Sequence, residues 1–188
     1  PPEELTDAAA DAIVAKFREA ARRAVHVAGF DGVEVHAANG YLIDQFLCAT
    51  SNKRPATSKY AGTSLETRAG FLKAVLKEVT DEVGAGRVGM RISPLNSYQD
   101  MHRGETAPDE VKFIASIAND FGLAYLHVMR ADFFGVQKGD VITPARELGF
   151  QLASQRCAER VEHLCARFPT HAQNAPLSFS RPAHAFAS

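Results

Sequence analysis

The chain has no tryptophan, only 3 cysteines among 188 residues, and almost no excess of charge, with 21 Lys+Arg against 22 Asp+Glu. It also lacks any apolar run near the roughly 20 residues that cross a bilayer. Each absence removes a class of function. Without a basic or acidic field, neither nucleic acid nor a membrane surface is an expected partner. Cys48, Cys157 and Cys165 are odd in number and share no CxxC spacing, which argues against a disulfide framework and against metal binding through them. The acidic start from Pro1 to Asp7 is unlike a secretory leader, so a cytoplasmic setting is expected. No P-loop or HExxH pattern occurs.

What remains is ordinary soluble-protein chemistry: 46% hydrophobic and 23% charged residues, in a length suited to one domain or part of a larger one. From Ala8 to Ala28, Ile13, Phe17, Ala20, Ala21, Ala24 and Val27 recur at helical steps, with Thr6 as N-cap and Gly29 beyond the end. Gly32 to His36 reads as a strand entered through Asp31-Gly32. A short helix is expected over Tyr41 to Leu47. Thr50 to Gly62 then has no apolar period and is a candidate lid. Thr63-Ser64-Leu65-Glu66 fits a capping box, and the helix it opens runs on to Val83, ended by Gly84 and Gly86. Arg87 to Ser93 is a buried-type strand closed by Pro94. A third unit has Thr106 as cap, Pro108 in the first turn, inward Val111, Ile114, Ile117 and Ala118, a stop at Gly122, and a strand from Ala124 to Met129. Alternating strands and helices predict right-handed crossovers and a parallel sheet, either open and doubly wound or part of a (β/α)8 barrel.

After Asp140 neither Asp nor Lys recurs, and Thr170 to Ser188 shows no period. Arg146 to Phe168 is compatible with one amphipathic helix. Residues 148–188 thus read as an atypical tail, helix then disordered, set apart from a domain over 1–147. An out-of-frame reading of a GC-rich gene is preferred over a natural tail, because the next strand of a parallel sheet is missing there.

Chemistry concentrates at strand ends. His36, Asn39 and Tyr41 follow the first strand, where parallel α/β folds bind ligands. His36 and Asn39 can donate to one oxygen and Tyr41 can deliver a proton, although packed or surface roles are the commoner use of such residues. Arg91, inside the second strand, needs an acceptor-rich partner, either Glu34 in a salt bridge or a cofactor. His127 and Met129 fit barrel-rim packing. Lys53, Arg54 and Lys59 could attract phosphate, but solvated loop charge explains them as well.

The run from Ala28 to Leu47, AGFDGVEVHAANGYLIDQFL, together with Ser51 to Arg54 (SNKR), Ser64 to Arg68 (SLETR) and Arg87 to Pro94 (RVGMRISP), resembles the Old Yellow Enzyme family. The resemblance extends over roughly Leu5 to Glu147. It implies a partial (β/α)8 TIM barrel of about three βα units, and FMN at the carboxyl ends of its strands. It implies that His36 and Asn39 bind the carbonyl oxygen of an α,β-unsaturated substrate, that Tyr41 is the proton donor, and that Arg91 contacts the pyrimidine side of the flavin. The implied reaction passes a hydride from NAD(P)H to the flavin and on to the β-carbon of an enone or nitroalkene, with Tyr41 protonating the α-carbon. Two other readings stay open. One is a non-catalytic truncated barrel that binds no FMN, since flavin-ring contacts on earlier strands and later phosphate loops are not recognisable. The other is a flavin barrel of the dienoyl-CoA reductase or amine dehydrogenase kind, disfavoured by the absence of clustered cysteines. The stretch Pro55 to Ser64 is also longer than the family pattern and lacks its customary Asp and first Gly. Substrate identity, preference between NADH and NADPH, and oligomeric state are not encoded legibly.

Overall fold

A computed structural model describes residues 3–94, 99, 101–103 and 107–129. The readings for Thr106, for the helix at Arg146 to Phe168 and for the tail at 148–188 lie outside the described residues.

Helix α1 spans Asp7–Arg22 and is capped by Thr6, whose hydroxyl accepts from the Ala9 amide. Its last turn widens into a π-helical turn, Arg23–Val27, and Gly29 takes a positive φ of 76° beyond it. Strand β1 (Val33–His36) follows, then α2 (Leu42–Leu47). The expected capping box is present one residue later than the sequence suggests. Ser64 caps α3 (Leu65–Arg68) and exchanges hydrogen bonds with Thr67, leaving Glu66 to pair with Lys73. Ala69 then separates α3 from α4 (Gly70–Val83), so the expected single helix is two. Gly84, at φ 86°, ends α4 as anticipated. Strand β2 (Val88–Ile92), helix α5 (Ala107–Asp120) and strand β3 (Tyr125–Val128) complete the third unit.

The three strands form a parallel sheet in the order β1-β2-β3. Side chains alternate between its faces. Val35, Val88, Met90 and Ile92 join the helices in the main apolar core, with Leu126 and Val128 packed against it. Helix α4 supplies Phe71, Leu72, Val75, Leu76, Val79 and Val83 to that core at helical spacing, against Ala10, Val14 and Ala21 of α1. The opposite face carries Glu34 and His36 on β1, Gly89 and Arg91 on β2, and Tyr125 and His127 on β3. A doubly wound sheet is apolar on both faces because helices cover both. Here helices cover one apolar face only, and the other face is polar, which does not fit a doubly wound sheet.

Gly89 shows how that inner face is packed. The ring of Tyr125 lies across it toward Glu34, and a Cβ at Gly89 would stand 2.1 Å from Tyr125 Cζ. Burial first, then the charge of Glu34, raises the Tyr125 phenol above its ordinary pKa. Gly89→Ala is expected to destabilise the chain by roughly 1–3 kcal/mol in urea unfolding. In a Tyr125→Ala background the same change should cost little; an equal cost in both backgrounds would count against this packing.

Candidate functional site

The in-register pairing of β1 with β2 and of β2 with β3 sets His36 beside Arg91 and Arg91 beside His127. These three side chains form a row near the carboxyl ends of the strands, on the polar face. Behind them, Glu34 Oε2 stands 3.1 Å from His127 Nδ1. That contact decides one question left open by the sequence. Glu34 meets His127 and not Arg91, so of the two partners open for Arg91 the Glu34 salt bridge does not form among the described residues. Arg91 instead directs Nη2 toward Met129 Sδ at 3.2 Å, and its Nε is buried without a hydrogen-bond partner among the described residues. Unpaired buried donors are uncommon because each has given up its water. Arg91 is thus a guanidinium with capacity held in reserve on a ligand-type surface. His127 thus shares a hydrogen bond with Glu34, and Met129 lies against the Arg91 guanidinium.

The chain leaves β1 through a tight turn. Ala37 donates from its amide to Arg91 O at 2.9 Å, and Asn39 donates from its amide to Ser93 Oγ at 2.7 Å, so β2 and the residue just past it hold both ends of the turn's first half. Asn39 and Gly40 both have left-handed backbones, φ 59° and 69°. Asn and Gly are the two residues that tolerate this conformation best, which explains why they occur at these positions. Gly40 then donates to Asp44 Oδ2 at 2.9 Å, and Gln45 Nε2 donates back to Gly40 O at 2.7 Å. Tyr41 emerges as the N-cap residue of α2, uses no side-chain capping bond, and is 49% exposed. Its ring centroid lies 5.3 Å from that of His36, tilted by 49°.

The four residues expected at the site are therefore gathered at one end of the sheet: His36 and Arg91 in register, Tyr41 against His36, and Asn39 between them on a turn tied to β2. Burial, then the positive charge of Arg91, lowers the His36 pKa, against weaker opposition from Glu34 and Asp44. Its imidazole is thus held neutral near pH 7, able to donate one hydrogen bond without carrying charge.

The long loop is not a free lid. Asn52 is buried and donates from Nδ2 to Phe46 O at 2.9 Å and to Tyr60 O at 3.2 Å. Tyr60 is buried and reaches Asp11 on α1. Arg54 is ion-paired with Asp7 and covers the Phe46 ring at 5.0 Å, Lys59 pairs with Asp11 at 2.8 Å, and Lys53 donates to Ala49 O. Arg54 and Lys59 fasten the loop to α1, and Arg54 also to α2, so neither phosphate attraction nor simple solvation describes Arg54.

Sequence reasoning missed a line of buried charges behind the turn. Asp44 pairs with Arg103, Arg103 with Glu110 at 3.5 Å, and Glu110 with Arg68 at 2.6 Å; Arg68 Nε also donates to Leu47 O at 2.7 Å. Burial works against the charge of Arg103, but Asp44 leads the acids that outweigh it, and its pKa ends above the ordinary arginine value.

Residues 2–139 match the family model described as NADH:flavin oxidoreductase / NADH oxidase family. A probable flavin mononucleotide-dependent alkene reductase from Leishmania infantum is 50% identical over 123 residues, covering 65% of this chain and 32% of that protein. The solved old yellow enzyme from Trypanosoma cruzi is 45% identical with a TM-score of 0.67, over 74% of this chain and 37% of that one. Morphinone reductase is 35% identical with a TM-score of 0.68, over 79% and 38%. The chain thus spans about a third of the length of the relatives it matches. The sheet is accordingly part of a (β/α)8 barrel.

Proposed function

The chain belongs to the NADH:flavin oxidoreductase / NADH oxidase family, and from that we propose that it carries the substrate-polarising and proton-donating part of an FMN-dependent ene-reductase. The reaction is reduction of the C=C bond of α,β-unsaturated carbonyl or nitro compounds at the expense of NAD(P)H. The observation that supports it most is the row of His36 and Arg91 beside Tyr41, with Arg91 Nε buried and still without an acceptor among the described residues.

The residues present fit a flavin. A cation with an unused buried donor suits the acceptor-rich pyrimidine edge of the ring, where it would stabilise negative charge. FMN, when bound, supplies the hydride chemistry. The protein's share is positioning and electrostatics. Neutral His36 and the carboxamide of Asn39 would bind the substrate's carbonyl or nitro oxygen and draw electron density toward it, which makes the β-carbon a better hydride acceptor. Tyr41, whose hydroxyl is committed to no cap, would hand a proton to the α-carbon.

Titrating the purified chain with FMN, followed by flavin fluorescence and visible absorbance, tests this reading. The expected result is a saturable yellow complex. Arg91→Met should weaken it roughly ten- to a hundredfold, the worth of a charge-assisted hydrogen bond, and should change the stability of the flavin-free chain little, since the half-buried guanidinium gives up mainly its contact with Met129. Fluorescence that stays unchanged through the titration would turn the reading into a barrel segment that binds no flavin.

A further inference from the structure

The turn that presents Asn39 and Tyr41 has two consecutive left-handed residues, Asn39 and Gly40. Asn and Gly permit this conformation, and the bonds around the turn select it. Ser93, just past β2, accepts from the Asn39 amide. The next amide, that of Gly40, donates to Oδ2 of Asp44, whose side chain is 1% exposed. A fully buried carboxylate stays charged and in place only if a cation accompanies it. Arg103, in the segment after β2 and 4% exposed, does this by donating from Nη2 to the other oxygen, Oδ1. One carboxylate thus bridges the Gly40 amide to the guanidinium.

We propose that Arg103 is a positioning residue. By fixing Asp44 it sets the Asn39–Gly40 turn, and so the aim of the carboxamide and phenol on either side of it. The rest of the charge line does different work: Arg68 and Glu110 tie the end of α2 to α3 and α5, through Leu47 O and the Glu110 carboxylate. Only the Asp44–Arg103 end touches the turn. The tie is also a link between two units, because Arg103 belongs to the loop after β2 and the turn to the loop after β1. What Asn39 and Tyr41 are aimed at rests on the ene-reductase reading; the turn itself does not.

Amide hydrogen exchange on the full chain without flavin tests the proposal apart from that reading. In Arg103→Met, exchange at Gly40 should quicken about tenfold relative to the amides of Leu72 to Val79 in α4, which report whole-chain opening. A factor shared equally by Gly40 and α4, or no change at Gly40, overturns the proposal. Should Arg103→Met fail to fold, the double variant Arg103→Met/Asp44→Asn is measured instead. It leaves no orphan carboxylate and keeps an acceptor for Gly40, so α4 protection should return while Gly40 stays faster than in the unaltered chain. Wild-type exchange at Gly40 in the double variant, or its failure to fold, overturns the assignment too. In FMN-loaded protein, Arg103→Met should slow alkene reduction and spare flavin reduction. If FMN does not bind, the ene-reductase reading fails while the exchange result still decides on Arg103.

Discussion

Tyr41→Phe is expected to slow alkene reduction by roughly 10²- to 10⁴-fold, the range of a positioned general acid, and to leave reduction of bound flavin by NAD(P)H nearly unchanged. The Tyr41 side chain is half exposed and caps nothing, so loss of its oxygen should alter stability by no more than about 0.5 kcal/mol. The ring that remains still packs 5.3 Å from His36. The variant therefore removes a proton and little else. Rapid mixing of the two half-reactions separately, in FMN-loaded protein, is the measurement. Equal losses in both would remove Tyr41 from the role of proton donor.

Phe71→Ala should cost about 3–5 kcal/mol, the usual penalty for emptying a fully enclosed aromatic site. Phe71 is wholly buried, stacked on Phe46 at 4.2 Å and 15°, and meets Tyr60 edge-on at 5.4 Å. This cluster joins α2, α4 and the loop from Thr50 to Gly62. Its loss should therefore loosen the base of the site turn as well as the core. Against a typical domain stability of about 5–15 kcal/mol, the loss is a large share. Urea unfolding gives the number, and Phe71→Leu, which keeps most of the volume, should cost less than half as much. A Phe71→Ala cost below about 1 kcal/mol would mean that the cluster collapses around the gap.

Much of the fold was legible because its signals are local. Thr6 caps α1 from three residues away, Gly84 and Gly122 take the positive φ that ends a helix, and each strand appears within a residue or so of its expected place. The grouping of the candidate site was legible in part, since His36, Asn39 and Tyr41 follow one strand closely and Arg91 stands out as a charge inside a buried-type strand, but only the strand register brings Arg91 beside His36. The failures are of two kinds. Thr63 and Ser64 are equally good caps, and Glu66 and Thr67 equally able to answer them, so only the backbone path chooses Ser64 with Thr67. The Asp44–Arg103–Glu110–Arg68 line joins charges spread over much of the chain, each of which reads alone as surface charge. Asn52 and Tyr60 were hidden for a similar reason: a loop without apolar period can still bury side chains when another element covers it. Of the two partners open for Arg91, Glu34 does not meet it because Glu34 sits two residues back on its strand, opposite Gly89, where His127 reaches it from the far side.

The polar face also has a place in the order of assembly. Glu34 and His127 meet across 93 intervening steps of sequence, with two complete crossovers between them. Contacts of such long span form only after the chain has already given up the entropy of closing that loop. The helices and the first strand pair can gather earlier on nearer contacts, but the row through Arg91 acquires its outer member only when β3 docks. During refolding, recovery of the apolar core should come first, and protection of the inner face last.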